Sequence, residues 1–224
     1  MLATLAGAPQ AFAAGEPICG PGEAMPAGFL MLEGWAGSAV RIDTGRRQLA
    51  DLILPGDAWL SLGHAVGAEG AGGLIALTPV VAAPITDQAL RGAGSAAPLL
   101  PWRLADLLAA QNARLVQQVA RNGRRTARER VAHLLLELYE RLRIKGQAGA
   151  EAFDLPVGQS VIADTVGLSY VHVSRVLTQL ERGGMIERTR TTVFLRDRPA
   201  LAALSGFDGA YLMPVTRSVG TMSR

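Results

Sequence analysis

Residues 155–195, LPVGQSVIADTVGLSYVHVSRVLTQLERGGMIERTRTTVFL, leave this chain few ways to fold. Gly167 sits between two short apolar-periodic segments, where a turn between crossing helices needs a residue tolerant of positive φ. Upstream of it, Val161, Ile162 and Val166 give one apolar side to a helix Gln159–Val166. Downstream, Ser169 offers a hydroxyl N-cap to a second helix, Tyr170–Arg182. Val173, Val176, Leu177 and Leu180 stand at i, i+3, i+4 and i+7 and form its buried stripe. Gly183-Gly184 ends that helix, glycine being the usual residue just past a C-terminus. After Met185-Ile186 the alternation in ERTRTTVFLRD predicts two strands around a turn. The spacing predicts a helix-turn-helix followed by a hairpin wing.

The outer face of the second helix carries the chemistry. Val171, Ser174, Arg175 and Thr178 recur on the side away from the core, with His172 and Gln179 beside them. A guanidinium can bond guanine O6 and N7 together, and an apolar side chain can meet a thymine methyl. Ser169 and the free N–H groups of the helix start suit a phosphate. Arg188, Arg190 and Arg196 place positive charge on the wing. Two helices and a hairpin also make an ordinary packing unit. The basic wing together with the Gly-x-Ser turn favours double-stranded DNA. The candidate DNA-binding residues are Ser169, Tyr170, Val171, His172, Ser174, Arg175, Thr178, Arg188 and Arg190.

Charge is unevenly placed. Residues 1–90 hold three basic side chains against eight acidic ones, and the remainder holds nineteen against eleven. Only the second half is suited to a polyanion. At 224 residues the chain is long enough for one large or two modest cores. No apolar run reaches membrane-spanning length, so no membrane partner is expected. The opening MLATLAGAPQAFAAG ends in small residues like a signal peptide, but it has no Lys or Arg and is broken by Gly7 and Pro9. The single cysteine, Cys19, rules out an internal disulfide and fits a reducing cytoplasm.

In chain order, candidate strands at 29–32, 39–42, 47–54, 74–77 and 80–85 alternate with Gly, Pro and Asp turns, which argues for an antiparallel barrel or roll. Pro98 and Pro101 introduce a long helix to about Arg121, with Leu104, Leu108, Leu115 and Val119 as an apolar stripe. Gln111 and Gln118 lie at seam-like positions where a pure coiled coil would prefer Leu. Asn122-Gly123 is expected to break this helix as the hinge between halves. Thr126-Ala127-Arg128-Glu129 then fits a capping box for a helix to about Ile144. His133 beside its apolar stripe reads as a hydrogen-bonded packing residue, 147–152 as a loop, and 200–224 as a tail with one helical turn.

The segments GLSYVHVSRVLTQLERGGMIE, NGRRTARERVAHLLLELYERLR and MLEGWAGSAVRIDTGRRQLADLILPGDAWL resemble, collinearly from about Gly15 to Leu212, the cyclic-AMP receptor/fumarate-nitrate regulator (CRP/FNR) superfamily of bacterial transcription factors. The resemblance implies an α+β chain in four parts: a cyclic-nucleotide-binding-like antiparallel β-roll (1–96), a dimerisation helix (97–122), a winged helix-turn-helix (123–199) and a tail (200–224). It implies a homodimer joined through Leu104, Leu108, Gln111, Leu115, Gln118 and Val119, although the stripe could instead pack on its own roll. The family's second base-reading arginine falls on Arg175, while its usual Arg-Glu pair falls on Tyr170 and Val171, a departure in base preference. RNA polymerase is the partner an activating member needs, and no residue pattern here marks a patch for it.

Cofactor chemistry finds little support. Family members that hold a cyclic nucleotide place an arginine behind the Pro-Gly-Asp turn, and here no Lys or Arg occurs between Arg47 and Arg91. The charge-assisted fork to a phosphodiester is missing. An iron–sulfur cluster needs about four thiolates, and the chain has one. Haem is not excluded, with His64, Cys19 and a methionine such as Met25 or Met31 as the N-terminal candidates. A haem or small-molecule sensor with a vestigial helix-turn-helix is therefore the alternative to a DNA-binding regulator. Catalysis has no support: there is no Ser/His/Asp grouping, no metal-spaced His/Cys cluster and no phosphate loop.

Overall fold

Alternation of apolar residues folds the front of the chain into two antiparallel sheets. A computed structural model describes residues 2–20, 26–41, 47–61, 72–93 and 97–213. After a single helical turn, α1 (Leu2–Leu5), come β1 (Gln10–Phe12), β2 (Pro17–Cys19), β3 (Gly28–Glu33), β4 (Ala36–Arg41), β5 (Arg47–Ile53), β6 (Ala58–Leu60), β7 (Gly72–Ala76) and β8 (Val80–Ile85). One four-stranded sheet runs β1-β8-β3-β6 and the other β2-β7-β4-β5. Phe29, Met31, Trp59, Val80 and Ala82 from the first meet Ile18, Cys19, Ile53 and Leu74 from the second in a shared core. This is the expected roll. Of the candidate haem ligands, Cys19 and Met31 are packed in that core, while His64 and Met25 lie outside the described residues.

Thr86 caps a short helix, α2 (Asp87–Gly92), and Pro101 lies in the first turn of the long α3 (Leu100–Arg124). The expected break at Asn122-Gly123 does not occur: α3 runs through both residues and ends at Arg125, whose φ/ψ of −88/148 is extended. Glycine costs a helix about 1 kcal/mol. Tertiary bonds just before it offset that cost, since the Asn122 amide donates to the Thr165 carbonyl at 3.2 Å and Arg121 is buried with Glu137 at 3.1 Å. The break between α3 and α4 therefore falls at Arg125-Thr126, and Thr126 and Glu129 form the expected capping box of α4 (Ala127–Ile144).

The assignment of α3's outer seam needs correction. Gln118 is buried and its amide donates to the carbonyls of Leu49 (3.0 Å) and Thr165, while Gln111 Oε1 accepts from the Leu60 amide at 3.2 Å. Both glutamines face their own chain, because the roll and the helix-turn-helix present backbone groups there that need partners. Leu104 and Leu108 are half-buried. The outward line is displaced by about one residue: Trp102, Ala105, Ala109, Asn112, Val116, Val119 and Gly123 are all exposed, at alternating spacings of three and four. Val116 is 56 % and Val119 73 % exposed.

β9 (Ala152–Asp154), α5 (Gln159–Val166), α6 (Tyr170–Arg182), β10 (Ile186–Arg188), β11 (Thr192–Leu195) and α7 (Arg198–Ser205) follow, then a 3₁₀ turn Ala210–Leu212. The wing is a three-stranded sheet ordered β10-β11-β9. Residues 147–151 are the expected loop, and Ala152, its last expected residue, opens the third strand, because Phe153 is buried opposite Val193. Residues 200–212, expected to be a tail with one helical turn, are folded onto α4: Leu201 is fully buried, and Phe207 and Tyr211 pack on the His133 ring at 5.2 and 6.3 Å between centroids.

Roll and C-terminal half share one core, in which Trp35, Leu49, Leu52 and Leu54 join α4, α5 and α6. Buried charges line its edge. Arg141 reaches Asp51 (3.3 Å), Asp57 (2.7 Å) and the Leu52 carbonyl (2.7 Å), and Lys145 reaches Asp57 at 2.5 Å. Burial alone would raise the Asp57 carboxyl, but Arg141 and Lys145 outweigh it and hold it below the usual range. Glu137 behaves likewise between Arg121 (3.1 Å) and Arg141, and accepts the Tyr211 hydroxyl at 2.7 Å.

His133 is the packing residue expected, its Nδ1 lying 3.2 Å from Arg121 Nη1. Burial, then the neighbouring Arg121 and Arg125, push it down from 6.5 to about 4. Above pH 6.5 the ring is neutral in folded and unfolded chains alike and adds no pH dependence. Between 6.5 and about 4 the unfolded ring takes a proton that the folded ring refuses, so stability falls as pH drops through that window. His133→Gln should flatten this part of a stability-versus-pH curve measured by urea unfolding. An unchanged slope would place the titrating group elsewhere.

Candidate nucleic-acid interface

The local geometry of the helix-turn-helix follows from its punctuation. Gly167 takes the left-handed conformation (φ 66, ψ 40) between α5 and α6. Ser169 Oγ accepts from the His172 amide at 3.2 Å and starts α6. At the other end Gly184 (φ 68) closes a Schellman motif, its N–H bonded to Glu181 O (2.9 Å) and that of Met185 to Leu180 O (3.0 Å). Val173, Val176, Leu177 and Leu180 are buried as expected. That burial fixes the opposite line, Val171, Arg175, Thr178 and Arg182, as the outward one. Among the described residues, Val171, Arg175 and Arg182 are exposed and Thr178 is half-buried.

Not every expected contact residue is available. Among the described residues Arg175 and Arg190 are exposed and form no ion pair, with Arg190 at the tip of the wing turn where Thr189 N bonds Thr192 O at 2.9 Å. Arg188 is different: its guanidinium grips Glu181 in a two-pronged bond of 3.0 and 2.9 Å and is only 20 % exposed. It braces the wing against α6 rather than offering free charge, because that pair is formed across seven residues within one unit. Arg196 is likewise paired with Glu187 at 2.7 Å and lies 4.9 Å over the Phe194 ring. The Thr178 hydroxyl donates to Ser174 O at 3.0 Å, which leaves its lone pairs outward. Ser174 is half-buried, and Tyr170 and His172 are exposed.

Two features escaped the sequence reading. Arg182 extends the outward line, and the spacing i, i+4, i+7, i+11 from Val171 would have shown it. The other is a groove of about 410 Å³ between the start of α5 and the wing, lined by Gly158, Gln159, Tyr170 and residues 189–191. Gln159 Oε1 is buried there with no hydrogen-bond partner among the described residues. No local pattern could announce that groove, since β11 and α5 meet only in the fold.

The docking of α5 on the roll sets where this face points. Arg47 pairs with Asp164 at 2.7 Å, and the Gln48 amide donates to the carbonyls of Asp164 (2.6 Å) and Thr165 (3.0 Å). Gln118 and Asn122 reach the same Thr165 carbonyl, and Arg130 reaches Val166 O at 3.3 Å. These donors satisfy the last carbonyls of α5, which an isolated helix leaves open. Roll, long helix and α4 thus all grip one turn of the DNA-reading unit.

Comparison with known proteins agrees with this architecture. The profile of the Crp-like helix-turn-helix domain matches residues 129–204. The nitrogen fixation regulation protein FixK of Azorhizobium caulinodans is 30 % identical over 199 residues, covering 88 % of this chain and 79 % of that one. The transcriptional activator protein FnrL of Cereibacter sphaeroides is 28 % identical over 219 residues, covering 92 % and 84 %. The structure of FixK2 from Bradyrhizobium japonicum superposes with a TM-score of 0.78 at 27 % identity, over 90 % of this chain and 98 % of that one. A CooA mutant from Carboxydothermus hydrogenoformans shares the fold with a TM-score of 0.70 at 16 % identity, over 88 % and 87 %. No helix among the described residues is long and apolar enough to cross a membrane. With its exposed reading helix, its wing and relatives alike over most of their length, the chain belongs to the CRP/FNR family of DNA-binding transcription regulators.

Proposed function

We propose that this regulator works in the cytoplasm as a homodimer on a palindromic operator, and that its roll takes no cyclic nucleotide. The observation that carries the reading is the exposed line on α3. Trp102, Val116 and Val119 with Ala105 and Ala109 form a heptad-spaced apolar seam on a helix of 25 residues, and among the described residues all five are exposed. A second copy of α3 buries such a seam symmetrically. Asn112 in the middle of it favours one register over sliding alternatives. Two α6 helices related by the two-fold then enter successive major grooves about 34 Å apart.

On each half-site Arg175 takes a guanine edge, with Val171, Ser174 and Thr178 beside it. His172, the Ser169 hydroxyl, Tyr170 and Arg190 hold phosphates, and the Gln159 amide joins them from the groove at the start of α5. The roll's Arg47 is occupied by Asp164, and the sequence has no Lys or Arg from there to Arg91. That supports a roll without a phosphodiester ligand. It also gives the roll a mechanical role, because Arg47 and Gln48 hold α5.

Selection of bound sequences from random duplex DNA, paired with sedimentation of the free protein, tests this. The expected result is an inverted repeat bound by a dimer, with Val116→Asp sedimenting as a monomer and losing most operator affinity. A parent protein that is monomeric at operator-binding concentrations, or a single unrepeated site, would refute the dimer.

A further inference from the structure

We propose that Val171 reads the C5-methyl group of a thymine lying one or two base steps from the guanine taken by Arg175. The inference rests on α6 occupying the major groove as read above. Val171 stands on the outward line of α6, four residues before Arg175, and is 55 % exposed although it has no polar atom to offer water. Four residues of helix advance about 6 Å, against about 3.4 Å per base pair, which sets the one-or-two-step separation.

The chemistry of the face then narrows the base. None of the outward positions of α6 carries a carboxylate, and its acid, Glu181, is turned to Arg188 at 2.9 Å. A cytosine opposite Val171 would lose water from its N4 amine without gaining an acceptor, and an unmet buried donor is costly. A purine would present N7 to a side chain that cannot donate. Thymine alone offers an apolar group at that edge of the groove. Ser169 cannot move Val171 off this line, because its hydroxyl holds the His172 amide and pins the first turn.

The test uses the full-length protein and the preferred duplex from the selection. Each dT is replaced in turn by deoxyuridine, which deletes the methyl and leaves base pairing intact. One position per half-site, within two steps of the guanine lost in Arg175→Ala, should weaken binding about fourfold, the value of one buried methyl. In Val171→Ala that position should bind dT and deoxyuridine equally. Changing the base pair there to dC·dG should weaken the parent, and 5-methyl-dC should recover about the same fourfold. Val171 is exposed, so the variant's thermal unfolding should match the parent's. Equal affinity for dT and deoxyuridine at every position overturns the inference while leaving the operator reading intact. So does a methyl effect that survives Val171→Ala. Binding without any sequence preference overturns the operator reading itself.

Discussion

Arg175→Ala should lower affinity for the selected operator by about 1–3 kcal/mol and leave binding to scrambled duplex almost unchanged. At about 1.4 kcal/mol per decade, that is roughly five- to 150-fold. The expectation comes from position and from what surrounds the side chain. Arg175 lies in the middle of the outward line of α6, exposed, with no ion pair among the described residues. The nearest carboxylate on its own helix, Glu181, is already held by two bonds from Arg188. The guanidinium is therefore free to fork onto guanine O6 and N7 in one plane, a preorganised geometry that Arg175→Lys replaces with a flexible point charge. Titrations against matched and scrambled duplexes at one fixed salt concentration separate base reading from charge, since the phosphate contribution varies steeply with salt. A drop of the same size on both duplexes would reassign Arg175 to the backbone.

Glu137→Ala should cost the fold more than any exposed substitution, on the order of 3–5 kcal/mol. Glu137 is 3 % exposed and sits between Arg121 and Arg141, themselves 2 and 5 % exposed, with the Tyr211 hydroxyl as a further donor. Removing it leaves Arg121 buried with Gln118 and His133 and paired with no carboxylate among the described residues. Arg141 keeps Asp51 and Asp57, so Arg121 carries most of the penalty. Urea unfolding at pH 7 measures the loss. A midpoint equal to the parent's would mean that water enters the site and solvates Arg121. Because α3, α4 and the C-terminal turn all meet at Glu137, the same variant should loosen Tyr211 and expose the His133 ring.

α5 and α6 could be read from the sequence to the residue because everything that bounds them is local. Gly167 turns, Ser169 caps, and Gly183-Gly184 closes, each within four residues of the bond it makes. The roll was legible as a class but not strand by strand. β1, β2 and β6 span three residues each, too few for a period-2 signal to stand out. β9 escaped notice because Phe153 becomes a strand residue only by pairing with Val193, forty residues on. On α3 Leu115 and Val119 are exposed as expected while Gln111 and Gln118 turn inward, because the outward line runs about one residue from the expected stripe and leucines occur on both its flanks. Gln111 and Gln118 looked like polar breaks in a coiled coil until the roll and α5 supplied their partners.

The sequence by itself determined the winged helix-turn-helix, the outward line of side chains on α6, and the stretch without Lys or Arg between Arg47 and Arg91. These follow from caps, turns and periodicity, whose bonds are short in sequence. Tertiary structure alone decided which face of α3 is left open, which arginines stay free, and how the roll grips α5. A guanidinium is a reader or a brace according to whether a carboxylate reaches it first, and only the fold brings Asp164 to Arg47.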